Sequence, residues 1–313
     1  MVPPRNRPWN GSTSGGPKTG RGITPPPVLG CFRQPLSRPP EAVNRKRSGE
    51  QPSGLKTGGG VIALMTDFGA AGWYAACMKA VILTIAPNAR LVDITHEIPP
   101  QDIVAGAFTL AAAAPWFPPQ TIFACVVDPG VGTARSLIAA QADSQTFVGP
   151  DNGLCSLVFQ RATRLSLVRL TNPRYWLAQI SSTFHGRDII APVAARLARG
   201  CSLRRLGVSR SRYQTLTLPP LQRTATTLRG CILHIDPFGN LITSLPARLI
   251  ESTRAQVRYQ QRLVRVVASY AKGRQGRLVA LIGSTGYLEL AIPNGSAAKR
   301  YRAKRGDRVE LMM

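Results

Sequence analysis

The stretch that most restricts the fold is Thr121 to Arg135. An unbroken apolar run, Thr121 to Val127, ends in the carboxylate of Asp128 and is followed by Pro129-Gly130-Val131-Gly132-Thr133-Ala134-Arg135. The run reads as a buried strand. In open α/β sheets, ligands gather at the C-terminal edge of the strands, which is where Asp128 would stand. Pro129 fixes φ, while Gly130 and Gly132 permit backbone angles that a side chain forbids. The turn can therefore fold back and bring Arg135 near Asp128. The plain alternative is a surface salt bridge beside a glycine-rich turn.

The same pattern recurs along the chain. Val61 to Thr66 is a short buried-strand pattern ending in Asp67-Phe68-Gly69, with a helix expected from Trp73 to Ile85, where Pro87 stops it. Arg90 to Ile94 is a second strand, ending near Asp93 and His96. Asp102 is placed to cap a helix from Ile103 to Ala114. Leu137 to Gln141 and Gln145 to Val148 read as further strands, the latter running into Gly149-Pro150-Asp151-Asn152-Gly153. His185 precedes a helix expected from Ile189 to Arg199, with Gly200 as its stop. Alternating strands and helices indicate an α/β domain with a largely parallel central sheet. No G-x-G-x-x-G follows the first strand, so a nicotinamide-type fold has no support.

From Gly230 the pattern changes to closely spaced short strands, which indicate a small β-barrel. The expected organisation is a basic Pro/Gly/Ser-rich tail at 1–58, the α/β domain at 59–213, a linker at 214–229 and the barrel domain at 230–313. The tail has too few large apolar residues to offset ordering entropy and is expected to be disordered. Its Gly16-Pro17-Lys18-Thr19 is not a phosphate loop, because the Pro interrupts the motif and no strand precedes it.

Composition excludes several classes. No apolar run reaches membrane-spanning length, and the N-terminus carries no secretory h-region. Six scattered Cys with no C-x-x-C pair read as reduced thiols of a cytoplasmic protein. The formal net charge of +25 raises the question of a polyanion partner. The basic residues are dispersed and not interleaved with aromatics, so a solvated Arg-rich surface is favoured over specific nucleic-acid recognition. Non-specific attraction at low salt is still expected.

Polar residues stand at the ends of successive apolar runs: Asp67, Asp93, Asp128, Asp151 with Asn152, and Asp236 with Asn240. Each alone is an ordinary turn residue; several at one sheet edge make a pocket. Of the three His, His185 stands on a loop before a helix, within possible reach of Asp128 and Arg135. No spacing matches a metal site, and no G-x-S-x-G nucleophile elbow is present.

Seven motifs in this order carry a family resemblance: T-D-F-G (Thr66 to Gly69), Y-x-x-x-M-K (Tyr74 to Lys79), V-D-I-T-H (Val92 to His96), V-D-P-G-V-G-T-x-R (Val127 to Arg135), V-G-P-D-N-G (Val148 to Gly153), S-S-T-F-H-G-R-D (Ser181 to Asp188) and I-D-x-F-G-N-L-I-T (Ile235 to Thr243). Together they resemble the S-adenosyl-L-methionine (SAM) hydroxide adenosyltransferases, relatives of the fluorinase and chlorinase enzymes. The resemblance runs from about Val61 to the C-terminus. It implies a homotrimer with active sites between the N-domain of one subunit and the C-domain of the next. It implies attack of water on C5′ of SAM, releasing adenosine and L-methionine, with no metal or other cofactor. The family's water-activating triad matches Asp128, Arg135 and His185. Its ribose-diol carboxylate matches Asp67, and Asp236 and Asn240 match contacts to the methionine amino group and adenine. Ser284 and the Asn294-Gly295 turn resemble contacts to the methionine carboxylate and adenine. Tyr74 and Asn152 lie in matched motifs and are carried over as substrate-binding.

The residue types suit that chemistry. A carboxylate such as Asp67 can accept both hydrogens of a vicinal diol, and the Arg135 guanidinium can hold an incipient hydroxide but cannot act as a base. Either His185 or Asp128 can take the proton. The substrate is a sulfonium cation and the nucleophile is close to anionic, so a dry pocket favours displacement. In the halogenase relatives the His and Gly of F-H-G-R-D are replaced to form a halide pocket; His185 and Gly186 are both present here, which favours water. Ala75-Ala76 and Ser136 depart from the usual pattern without touching the triad. A second class of reading is a basic RNA-associated protein on the same scaffold, supported by charge and by the Arg-rich tail. It predicts steeply salt-dependent binding with no need for His185.

Overall fold

The computed structural model describes residues 60–250 and 255–312, so the tail expected at 1–58 lies outside the described residues. The N-terminal half is built on a seven-stranded sheet of order β2-β1-β3-β5-β4-β6-β7. Its strands are β1 (Val61–Thr66), β2 (Arg90–Thr95), β3 (Ile122–Val126), β4 (Leu137–Ala142), β5 (Gln145–Pro150), β6 (Leu165–Leu170) and β7 (Gly207–Arg210). β2, β1, β3 and β5 pair in parallel. β4 returns antiparallel between β5 and β6, and β7 runs antiparallel to β6. Five of the seven strands thus point the same way, as a largely parallel sheet requires, with β4 and β7 reversed.

Helices cover both faces. α1 (Tyr74–Ile85) and α4 (Ala191–Ala198) pack on one side around Leu64, Ile82, Val126 and Val193. α2 (Ile103–Ala113) and the single turn α3 (Ser156–Phe159) cover the other, where Phe123 stacks on Phe147 at 4.6 Å. Strand residues such as Ile62, Leu64, Phe123 and Val148 are fully buried, which is why these runs read as continuously apolar. Asp102 caps α2 by accepting the Ala105 N–H at 2.9 Å. Gly200 ends the helix that follows His185 with a φ of +86°, the left-handed angle of a helix stop.

The C-terminal half holds β8 (Gln222–Arg223), β9 (Thr227–Ile235), β10 (Leu241–Pro246), β11 (Gln256–Tyr259), β12 (Arg262–Arg265), β13 (Val279–Ile282), β14 (Tyr287–Ala291), α5 (Ala297–Tyr301) and β15 (Arg308–Met312). The path β12-β11-β15-β9-β10-β14-β13 is antiparallel throughout, with β8 on β9. A bridge between Val266 and Ala280 joins its two ends, so the sheet is nearly closed, as the short-strand pattern anticipated. β8 and the start of β9 fall within the stretch read as a linker. Phe108 of α2 stacks on His234 of β9 at 5.0 Å and packs against Ile242 and Tyr287, while Arg305 pairs with Asp102. These contacts tie the two halves of the chain together.

Candidate active site

The C-terminal ends of β1, β3 and β5 deliver Asp67, Asp128 and Asn152 to one edge of the sheet. A cleft of about 420 Å³ opens there, lined among others by Asp67, Tyr74, Gln101, Asp128, Phe184 and His185. Arg135 is brought back to Asp128 by the turn between them. Its Nε donates to Asp128 Oδ1 at 2.7 Å and Oδ2 at 2.8 Å, and its Nη2 also donates to Oδ2. The same Nη2 reaches His185 Nδ1 at 3.0 Å. The surface-salt-bridge alternative fails on burial: the Asp128 side chain is 4% exposed and that of Arg135 11%.

Two close approaches make this convergence possible. Gly132 has a φ of +80°, and a Cβ there would lie 2.4 Å from the carbonyl oxygen of Ser182. The turn carrying Arg135 and the loop carrying His185 can therefore touch only without a side chain at Gly132. His185 is followed by a π-helical turn, Gly186–Ile190, of a kind frequent at functional sites. Asp188 in that turn is fully buried. It takes the Ser181 N–H at 2.8 Å and the Arg187 Nε at 2.6 Å, and so fixes the loop that presents Thr183, Phe184 and His185. Asp188 closes the S-S-T-F-H-G-R-D motif immediately before the apolar run that starts at Ile189, and nothing in that spacing assigns it this bracing role.

A guanidinium has only donors, so His185 Nδ1 must be the acceptor and its proton sits on Nε2. The imidazole is therefore neutral. Burial, and then the Arg135 cation, hold its pKa below the usual histidine value, outweighing the opposite pull of Asp128 and Asp188. Asp67 is half-buried and accepts the Gln101 N–H at 2.8 Å through Oδ2. Burial raises its pKa, the backbone N–H groups oppose this, and Asp128 raises it further. The cleft thus carries two carboxylates, Asp128 nearly buried and Asp67 half-buried, which favours a cationic ligand.

The other sequence-derived candidates distribute as follows. Tyr74 stands at the start of α1, its ring against Phe68 and Phe184 at 5.5 Å and 5.2 Å. Asn152 is absorbed in bracing the strand ends: its Nδ2 donates to the Val127 carbonyl at 2.8 Å and its Oδ1 accepts from Leu154 N–H at 3.1 Å. Asp236 and Asn240 bind each other across the β9–β10 turn, Oδ1 to the Asn240 N–H at 2.8 Å and Oδ2 to its Nδ2 at 2.9 Å. Ser284 and Asn294 are exposed on turns of the same C-terminal sheet, Asn294 with a φ of 57°. None of these four C-terminal residues lines the cleft that holds Asp128 and His185. Among the described residues no three His, Cys, Asp or Glu side chains gather as metal ligands, and no helix is long and apolar enough to cross a membrane.

Comparison with known proteins agrees along both halves. The family model of the SAM hydroxide adenosyltransferase N-terminal domain matches residues 62–207, and that of the C-terminal domain matches residues 230–310. A protein of Salinispora arenicola named (R)-S-adenosyl-L-methionine hydrolase is 37% identical, over 80% of this chain and 97% of its own. One of the same name from Thermus thermophilus is 38% identical, over 80% and 99%. A fluorinase of an Actinoplanes species is 28% identical, over 80% and 96%. The crystal structure of an uncharacterised conserved protein from Thermotoga maritima superposes with a TM-score of 0.76 at 33% identity, over 80% of this chain and all of that one. This chain belongs to the SAM hydroxide adenosyltransferase family.

Proposed function

We propose that this protein hydrolyses S-adenosyl-L-methionine to adenosine and L-methionine by attack of water on C5′. The observation that carries the reading is the hydrogen-bonded set Asp128–Arg135–His185 at a cleft with a second carboxylate. Asp67 and Asp128 attract the sulfonium, and Asp67 Oδ1 is available to the ribose hydroxyls while Oδ2 is held by Gln101. Arg135 lies behind the cleft wall and bridges the two groups that line it, so it orients both. His185, protonated on Nε2, can donate to the water but cannot accept its proton at Nδ1, which is already engaged. Asp128 retains lone pairs toward the cleft and is the group that accepts the water's hydrogen. As C–O bond formation proceeds, the positive charge on sulfur disappears into a neutral thioether, a change that a poorly solvated site favours. No step requires a metal or other cofactor.

The water reading is preferred to halide transfer on two grounds. His185 and Gly186 are present, and the hydrolase relatives are nearer in sequence than the fluorinase. We further propose a cytoplasmic homotrimer in which the C-terminal sheet of a second copy supplies Asp236, Asn240, Ser284 and Asn294 to the cleft. The separation of those residues from the cleft within one chain supports this arrangement.

The hydrolase relatives are named for the (R) form of the substrate, and a pyramidal sulfonium is a stereocentre, so the assay carries both epimers. Incubation with each epimer, with and without chloride, should release adenosine and methionine at a rate indifferent to halide. His185→Ala should slow this by about 10²–10⁴. A 5′-halo product would move the protein to the halogenase branch.

A further inference from the structure

None of the hydrogen bonds that join Asp128, Arg135 and His185 uses the V-D-I-T-H motif, Val92 to His96. Leu64 of β1 pairs with Asp93 of β2 and Met65 with Thr95, so β2 carries one extra residue between them. Residues three apart in a regular strand point to opposite faces. The extra residue turns Asp93 and His96 toward each other, and His96 Nε2 lies 3.1 Å from Asp93 Oδ1. On its other side, His96 Nδ1 is 2.9 Å from the hydroxyl oxygen of Thr66, the fully buried residue immediately before Asp67.

The order of protons along this row follows from its ends. Burial pushes the Asp93 carboxyl up, but the Lys79 ammonium at 2.6 Å and the His96 ring bring it below the usual carboxylate value, so it is an anion and only accepts. His96 Nε2 therefore carries a proton; its approach to Asp93 is poorly aligned, and it has no other partner among the described residues. In the neutral ring Nδ1 is then the acceptor, and the Thr66 hydroxyl donates to it. That leaves the lone pairs of the Thr66 oxygen to accept the Phe68 N–H at 3.2 Å. The His96 main chain closes the same turn, its carbonyl accepting the Gly69 N–H at 2.7 Å. Asp67 stands between these clasped residues. The direction of its carboxylate into the cleft follows the turn as well as its own bond from the Gln101 N–H.

We propose that His96 is a positioning residue: through the Thr66 hydroxyl it sets the aim of Asp67 at the ribose diol, while Asp93 sets the tautomer of His96. This rests on the proposed function for the ligand of Asp67. The row touches no reacting atom, and diol binding is shared by ground and transition states. Its loss therefore falls on KM and leaves kcat largely alone.

His96→Leu removes the acceptor for the Thr66 hydroxyl, whereas His96→Asn keeps an acceptor at the position of Nδ1. In the full-length protein His96→Leu should raise KM about 3- to 10-fold, the worth of one neutral hydrogen bond, with kcat within about threefold. His96→Asn should restore most of the loss. Thr66→Val, which removes the hydroxyl and keeps the shape, should give the same rise and serves in place of His96→Leu where that variant does not fold. Combined with Asp67→Asn, either substitution should add no further rise, because it acts through that carboxylate. Calorimetric titration with adenosine and with 2′,3′-dideoxyadenosine reads the coupling without turnover: adenosine should weaken by the same factor and the dideoxy compound should not change. An unchanged KM, a full penalty added to Asp67→Asn, equal weakening of both nucleosides, or no adenosine binding to the wild type would overturn the inference. Diol-dependent adenosine binding that His96→Leu weakens, in a wild-type protein that releases no adenosine from SAM, would instead overturn the hydrolase reading and leave this one standing.

Discussion

Replacing Arg135 with Met tests how the triad is held. The guanidinium is the partner of a carboxylate whose side chain is 4% exposed, and it also donates to His185. Met keeps roughly the length of the chain and removes every donor. Breaking a buried ion pair from one side costs about 3–5 kcal/mol, because the remaining charge is left uncompensated. Asp128 borders the cleft and can recruit water, so the lower end, about 3 kcal/mol, applies. For a folded region of this size each kcal/mol shifts Tm by about 2–4 °C, so Arg135→Met should melt about 6–12 °C lower. Asp128→Asn with Arg135→Met removes the stranded charge together with its partner. The double variant should recover most of the loss, with a coupling of at least about 2 kcal/mol, yet remain inactive. Thermal unfolding and turnover of the four proteins in the cycle give the answer. If the double variant is no more stable than the sum of the singles, or Arg135→Met keeps wild-type turnover, the account of the pair is wrong.

Other outcomes follow from the same geometry. The folded-state pKa of His185 lies below its unfolded value of about 6.5, so as pH falls the unfolded chain binds the proton first. Stability from the neutral imidazole is complete above about pH 6.5 and is lost as pH falls through that value toward the folded pKa. The acid limb of kcat/KM should sit below about pH 6.5, and a His185-dependent limb at or above that value would contradict the assignment. Gly132→Ala forces a Cβ against the Ser182 carbonyl at a left-handed φ. It should cost about 1–3 kcal/mol and lower kcat more than KM changes, as read from steady-state kinetics and urea unfolding. On the proposed function Asp67→Asn would remove charge-assisted bonds to the ribose diol and should raise KM about tenfold, while an unchanged KM would remove Asp67 from the proposed binding site.

Much of this architecture is legible in the chain because its strands are buried on both faces. Ile122–Val126 has no polar residue to interrupt it, so the first carboxylate after it marks the strand end and the site edge together. The Asp102 cap is legible for a similar reason, since one polar side chain precedes a long apolar helix. What brings His185 to Arg135, fifty residues away, is not local. It depends on Gly132 meeting Ser182 and on a buried Asp188, neither of which periodicity reveals. Asn152 illustrates the converse. Its position after β5 suggests a ligand contact, yet both ends of its amide are used on Val127 and Leu154. Glu289 reads as an ordinary polar residue of a short strand, yet it is buried, and its Oε1 accepts the hydroxyl hydrogen of Tyr270, nineteen residues earlier.

The central claim is that water, held by Asp128 and His185, attacks C5′ of the adenosyl group. Turnover in oxygen-18-labelled water tests this most directly, with mass analysis of the separated products. The account predicts one labelled oxygen in adenosine, at the 5′ position, and none in methionine. Label in an amino-acid product, with sulfur still attached to the adenosyl carbon, would mean attack at a different carbon and would contradict it.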